Sequence, residues 1–387
     1  MTTASRLLDE LCHLTAQSLV SLETTEHFQI IKLLGEGSYG QVKLAVHKTR
    51  GTPMALKFFP RESTGLLSFL REYNLSLAFC SHPSLTSALG IVFSTPEHYV
   101  FAQQPSLYGD LFDVIVPEVG LEEDCAQRVA SQISGALSHL HRLGFVHRDL
   151  KPENIFLCDR ECRWVKLGDF GMAKARGVQV PCVWYSSAYC TPEAEIARDT
   201  DQPSSTEGVG GDWNAVPLDE NGNPMEEKKK SRIRVTVEPS TDTWALGMLI
   251  YAMLSGVLPW DETASNNRGY MKYKEWAEQA SERLRNEEMN GQDKDGQMNG
   301  QKERNVNDNS IAPQFACFTP LACSLFLSLL HPQAALRGGA HDVGGYLGGS
   351  WLREEHRRQR EEAEANRKQR EIMDTQKETE RAESRDR

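Results

Sequence analysis

The chain has 387 residues, 39% of them hydrophobic, which is enough to bury a large core and too apolar for a protein disordered throughout. Its formal net charge of -11 excludes a general nucleic-acid binder, which carries a basic surplus arranged in stripes. Nine cysteines without a Cys-x-x-Cys pair read as reduced thiols of a cytoplasmic or nuclear protein, and no secretory signal is expected because the first thirty residues lack a basic start followed by an apolar run.

Residues 1–27 read as a polar N-terminal extension, with a weak amphipathic run from Leu7 to Leu22 that predicts a helix packed outside the main core. Phe28 to Leu44 is strand-like with a Gly-rich interruption, and Pro53 to Phe59 gives a further strand that contains Lys57. Leu66 to Phe79 has helical spacing and is ended by His82-Pro83, after which Gly90 to Phe93 and Tyr99 to Ala102 read as two more strands. A helix from Glu122 to Leu143 leads into a charged loop, short strands near Asn154 to Leu157 and Val165 to Leu167, and a second loop at Asp169. Helices are expected again at Thr243 to Leu254 and after Phe318.

The apolar stretch Ile311 to Leu330 approaches membrane-span length, but Pro313 and Pro320 interrupt it, so a buried helix is the better reading. Residues 199–239 are rich in Gly, Asp, Glu, Pro and Lys with little apolar periodicity, residues 280–310 are dominated by Asn, Gly, Gln, Glu and Lys, and both are expected to be mobile insertions. The tail 353–387 is a mixed-sign run of helix formers with almost no apolar face, expected as a solvated single helix or a disordered segment.

Three features carry chemistry. Leu34-Gly35-Glu36-Gly37-Ser38-Tyr39-Gly40-Gln41-Val42 sets three glycines between two strands, where backbone N–H groups approach phosphates without Cβ obstruction. A dinucleotide fold would open a helix there, whereas Val42, Leu44 and Val46 alternate with polar residues as a strand does. Met54-Ala55-Leu56-Lys57 ends a strand in a lysine, and Glu72 on the following helix stands at the separation of a lysine–glutamate ion pair. His147-Arg148-Asp149-Leu150-Lys151-Pro152-Glu153-Asn154, followed by Asp169-Phe170-Gly171, supplies a carboxylate for an acceptor hydroxyl, a cation for a phosphate and oxygen ligands for Mg2+.

With these motifs in this order, the chain resembles the eukaryotic protein kinase superfamily over about Phe28 to Leu352. The resemblance implies an α+β fold of two lobes: a small, mainly antiparallel N-lobe with one key helix (about 28–104) and a larger helical C-lobe (about 105–352). It also implies ATP and Mg2+ as cofactors and protein Ser/Thr hydroxyls as acceptors, with an activating kinase as a possible partner. Residue by residue, it makes Asp149 the catalytic base, Lys151 a γ-phosphate contact, and Asn154 and Asp169 the metal ligands. ATP would then be held by Leu34 to Val42, Ala55, Lys57, Glu72, Gln103 and Asp169. His147 and Phe170 resemble packed spine residues, Arg148 a phosphate-binding arginine, and Ser186 and Tyr189 the residues before the family's Ala-Pro-Glu, which stands here as Thr191-Pro192-Glu193. The same resemblance pairs Glu193 with Arg337 and lets Asp242 brace the catalytic loop.

His-Arg-Asp-Leu-Lys-Pro-Glu-Asn is similar to the serine/threonine kinases. Phe101 to Gln104, Gly109 to Asp113, Asp159 to Arg163 and Val165 to Leu167 look like the Src-homology-3-binding kinase (SBK) family. No P-x-x-P element stands anywhere in the chain, so binding to that adaptor domain does not carry over. The long interval from Glu193 to Asp242 leaves a second reading open, a kinase-like scaffold impaired in catalysis by its C-lobe insertions.

Overall fold

The computed structural model describes residues 2–37, 40–181, 189–201, 234–290, 311–362 and 365. It opens with a sixteen-residue helix, α1 (Thr3–Ser18), followed by a short strand β1 (Val20–Ser21) and one turn of helix α2 (Thr24–His27). A six-stranded sheet is then completed by β2 (Phe28–Gly37), β3 (Gly40–His47), β4 (Pro53–Pro60), β5 (Ala88–Ser94) and β6 (His98–Gln103), in the order β1-β5-β6-β4-β3-β2. All its pairings are antiparallel except β1 with β5.

Side-chain alternation gives this sheet two faces. Met54, Leu56 and Phe58 of β4 join Phe28, Phe93, Val100 and Ala102 in one cluster. Phe59 and Phe101 turn the other way and pack with Phe69, Leu70 and Tyr73 of helix α3 (Leu66–Ala78). Gly40 has φ 130°, and a Cβ there would fall 1.9 Å from the carbonyl oxygen of Phe58, so only glycine lets β3 leave the turn so close to β4.

The rest is mainly helical: α4 (Glu123–Arg142), α5 (Pro192–Asp201), α6 (Ser240–Ser255), α7 (Arg268–Asn290) and α8 (Pro320–Leu329). α4 buries one stripe, including Val129, Ile133, Leu137 and Leu140, as an amphipathic helix at the edge of a core does. α6 is buried on every side from Asp242 to Leu254, so it is the central post of this lobe. A Cβ at Gly247 would lie 2.7 Å from Leu330, which is how closely α6 and the end of α8 cross. Short strand pairs decorate the lobe: β7 (Phe145–Val146) with β10 (Lys174–Ala175), β8 (Ile155–Leu157) with β9 (Val165–Leu167), and β11 (Gln179–Pro181) with β12 (Arg234–Thr236). The fold is thus the expected α+β arrangement of a mainly antiparallel sheet lobe and a helical lobe.

Three segments differ from the sequence expectation, and a fourth, the apolar stretch expected as a buried helix, meets it. α1 is not outside the core: Leu8 and Cys12 belong to the main buried cluster, because their i, i+4 spacing lays one stripe against α3. The last residues of the expected insertion 199–239 are ordered, since β12 pairs with β11 and buries Val237 against Val146 and Val180; its first residues belong to α5. α7 runs to Asn290, past residue 280, because Tyr273, Trp276 and Ala277 anchor it in the core and the helix formers after them carry it on. The apolar stretch 311–330 is a 3-10 turn at Pro313–Phe315 followed by the ten-residue α8, and no described helix is long and apolar enough to cross a membrane. In the tail, residues 354–362 are helical and most later positions lie outside the described residues.

Candidate active site

Strand alternation aims Lys57 away from the Leu56 face and toward α3, and α3 turns Glu72 back to meet it. Lys57 Nζ stands 2.6 Å from Glu72 Oε1 and 3.2 Å from Asp169 Oδ1, and it sits 5.1 Å over the Phe59 ring. Burial disfavours the ammonium, but the two carboxylates outweigh it and the Lys57 pKa is raised. Burial also pushes the Glu72 carboxyl up against the pull of Lys57, whereas at Asp169 the burial cost is outweighed by Lys57 and the pKa is lowered. Lys57 is therefore a fixed cation tying the sheet lobe to the start of the Asp169 loop.

The same face carries the other expected nucleotide residues. Val42 is paired with Lys57 across β3 and β4, and Ala55 with Gln103 across β4 and β6; directly opposed residues share a face. Leu34 to Gly37 and Gly40 to Val42 form the β2–β3 hairpin, with Gln41 Nε2 donating to Glu36 Oε1 at 3.0 Å. Ser38 and Tyr39 lie outside the described residues.

Below, the loop between β7 and β8 brings Asp149, Lys151 and Asn154 together. Asn154 Nδ2 donates to the Asp149 carbonyl at 2.7 Å and to its Oδ2 at 2.9 Å, and Lys151 Nζ lies 3.1 Å from that same oxygen. Gly168 N–H donates to the Asn154 carbonyl at 2.9 Å, which joins this loop to the Asp169 loop. Arg148 and Asp169 have φ 69° and 60°, a left-handed backbone that is uncommon for residues other than glycine. Asp242, fully buried at the start of α6, holds the strained stretch by accepting from the backbone N–H of His147 and Arg148, both at 2.8 Å. His141 Nε2 is 2.8 Å from its Oδ2. The expectation that Asp242 braces this loop through backbone hydrogen bonds is met.

The His147 ring packs on Phe170 at 5.7 Å, and Phe170 on Phe79 at 5.1 Å, so an aromatic stack runs from the loop between β7 and β8 toward α3. Arg337, whose side chain has no exposed surface, donates to both oxygens of Glu193 at 3.0 Å and lies 4.9 Å over Trp244. Arg148 Nη1 donates to the Met172 carbonyl at 3.2 Å. A cleft beside Asp149 and Lys151 is lined by Val180, Tyr189, Thr191, Val235 and Val237, so β12 forms part of its wall. The sequence reading places that wall inside an apolar-poor insertion and misses it, although Val235 and Val237 alternate with Arg234, Thr236 and Glu238 as a half-buried strand does.

Residues 28–207 match the protein kinase domain family. The chain is 36% identical over 346 residues to the serine/threonine-protein kinase SBK1 of Danio rerio, covering 89% of this chain and 74% of that protein. It is 33% identical over 354 residues to SBK2 of Mus musculus, covering 91% and 82%, and 29% identical over 257 residues to the serine/threonine-protein kinase meng-po of Drosophila melanogaster, covering 65% and 49%. The chain belongs to the SBK family of serine/threonine protein kinases. In this kinase Ser186, expected to precede Thr191-Pro192-Glu193 together with Tyr189, lies outside the described residues.

Proposed function

We propose that this kinase transfers the γ-phosphoryl group of ATP to protein Ser or Thr hydroxyls with Asp149 as base, and that residues 28–352 are its catalytic unit. The observation that carries the reading is Lys57 bridging Glu72 and Asp169 at 2.6 and 3.2 Å, above an Asp149 carboxylate oriented by Asn154 and Lys151. Asp149 takes the proton of the acceptor hydroxyl as its oxygen bonds the γ-phosphorus and the bond to the β-phosphate oxygen breaks, releasing ADP. Lys57 pairs with the α- and β-phosphates, and Lys151 neutralises charge on the transferred group. The Gly35, Gly37 and Gly40 hairpin covers the phosphates, while Ala55 and Gln103 border the adenine.

The donor set fits a hard divalent cation: Asn154 turns its amide nitrogen to Asp149, which leaves its amide oxygen as a ligand, and Asp169 keeps its carboxylate ionised. Asn154 and Asp169 would hold Mg2+, which would supply positive charge to offset that of the phosphates. The test is phosphate transfer from ATP with Mg2+ to a generic basic protein by the wild type, Lys57→Met and Asp149→Ala. Transfer by the wild type and a loss of about 100-fold or more in each variant is expected. Equal turnover in all three would refute the assignment, and a wild type as inactive as its variants would leave the chain a scaffold.

A further inference from the structure

Glu72 faces the cleft, and successive residues on a helix turn by about 100°. Arg71 and Asn74 therefore lie on the back of α3, and that back is covered by α1. Leu8 and Cys12 of α1 are 8% and 1% exposed, and Ala4 and Ala16, one turn before and after them, pack on the same cluster. The small residues at three of these four positions let the two helices approach closely. Polar contacts then fix the register. Arg71 donates to Asp9 Oδ1 from Nη2 at 2.9 Å and from Nε at 3.3 Å. Buried Asn74 has its side chain between α1 and its own helix: Nδ2 donates to the Leu70 carbonyl at 2.8 Å and toward Cys12 Sγ at 3.7 Å, and Oδ1 accepts from Thr15 Oγ1 at 3.1 Å. Burial pushes the Cys12 thiol up, so it sits in this seam as a neutral, weakly polar group.

The other end of α1 reaches the helical lobe. Ala4 Cβ would stand 3.3 Å from a Cβ at Gly144, and Thr2 Cγ2 would stand 3.6 Å from one at Gly177, just before β7 and between β10 and β11. Thr2 also caps the helix, its hydroxyl accepting from Ser5 N–H at 3.3 Å, so this first turn is built as an ordered end. α1 is thus a strut fixed to both lobes, and it presses on the helix whose Glu72 must reach Lys57.

We propose that α1 is a built-in positioning element for phosphoryl transfer: Asp9, Cys12 and Thr15, acting through Arg71 and Asn74, hold α3 in the orientation that keeps Glu72 on Lys57. The inference rests on the kinase reading above and adds to it that the N-terminal helix does from within the chain what a docked activator would do from outside. None of these residues touches a substrate, so they are positioning residues.

The test uses the full-length chain and two surface-tolerant charge reversals, Asp9→Arg and Arg71→Asp, their combination, and Cys12→Arg, which forces a charge into the seam. Each is read by kcat, KM for ATP and hydrogen exchange of the α3 amides. Each single reversal is expected to lower kcat about fivefold and the combination to restore it to within about twofold, as repulsion replaces the ion pair and the swap renews it. Cys12→Arg is expected to lower kcat about tenfold and to leave KM for ATP within about twofold, because coupling of this kind acts on the orientation of α3 and not on the adenine pocket. Faster exchange of α3 should accompany each loss and be reversed in the combination. Single reversals with wild-type kcat and wild-type α3 exchange would overturn the proposal, as would losses that the combination does not restore. A wild type without transfer would refute the kinase reading instead, and the exchange pattern of the four variants would still decide whether α1 orders α3.

Discussion

Asp242 combines full burial with a charge and three polar partners in one side chain. It has no exposed surface, yet it stays ionised: burial opposes the charge, but His141 and the backbone donors outweigh it and its pKa is lowered. Because a depressed folded-state pKa means that the native form prefers the carboxylate, its stabilising contribution is present above the ordinary carboxylate pKa and is lost as pH falls through the lower folded-state value. The expected acid limb of the stability curve therefore lies below the usual carboxylate range and is flattened in Asp242→Asn, as urea unfolding at a series of pH values would show. At neutral pH, Asp242→Ala leaves the His147 and Arg148 N–H groups without an acceptor, and a loss of about 4 kcal/mol is expected in the same measurement. Such residues were readable in the sequence because their chemistry restricts the choice: a phosphate cation, a carboxylate base and an oxygen ligand each admit few side chains at fixed places. Asp9, Cys12 and Asn74 were not, since a half-exposed carboxylate, a thiol and a buried amide are ordinary anywhere and gain meaning only once α1 lies on α3.

Among the elements, the join between α5, α6 and the loop after α8 is made by Glu193 and Arg337, and its two ends are unequal. Arg337 has no exposed side-chain surface and also donates to the carbonyls of His331 and Ser240, whereas the Glu193 side chain is 39% exposed. Removing the carboxylate leaves the guanidinium three other supports: two carbonyls and the Trp244 ring. Glu193→Gln should cost about 1 kcal/mol, the scale of a partly solvated ion pair. Glu193→Lys sets a like charge against a buried one, and about 3 kcal/mol is expected. Arg337→Met strands both carbonyls and should cost at least as much, so chemical denaturation should order the variants with Glu193→Gln least affected. A reversed order would mean that Glu193 is held by something other than Arg337. α4 was legible because one buried face imposes 3.6-residue spacing, and β4 because a strand buried on both faces reads as a short, nearly continuous apolar run. β12 was overlooked: Val235 and Val237 do alternate with Arg234, Thr236 and Glu238, but the run is short and closes a long polar segment, and its pairing with β11 identifies it.

Across the whole molecule, the charge between the two lobes does not balance. Glu72 and Asp169 set two carboxylates against the single ammonium of Lys57, with side chains 6%, 24% and 11% exposed. On the function proposed above, such a cleft is short of a cation, and a divalent metal arriving with nucleotide phosphates would answer both needs, with Asp169 and Asn154 available to the metal and Lys57 and the glycine hairpin to the phosphates. Anything bound there touches β3 and β4 on one side and the Asp149 and Asp169 loops on the other, so it should stabilise both lobes together. Binding at about 100 times Kd adds about 2.7 kcal/mol to the native state. Thermal unfolding of the full chain with ATP and Mg2+ should shift upward by several degrees, and by much less with ATP alone. In Asp169→Asn the free protein should unfold close to the wild-type temperature, because Lys57 keeps the nearer partner Glu72 at 2.6 Å, while the increment due to Mg2+ disappears. Lys57→Met should weaken the increment with and without Mg2+ alike, since on the proposed function it would remove a phosphate partner and not a metal ligand. If Asp169→Asn kept the full Mg2+ increment, the metal would have to be held elsewhere, and the pairing of Asn154 with Asp169 as its ligands would be wrong.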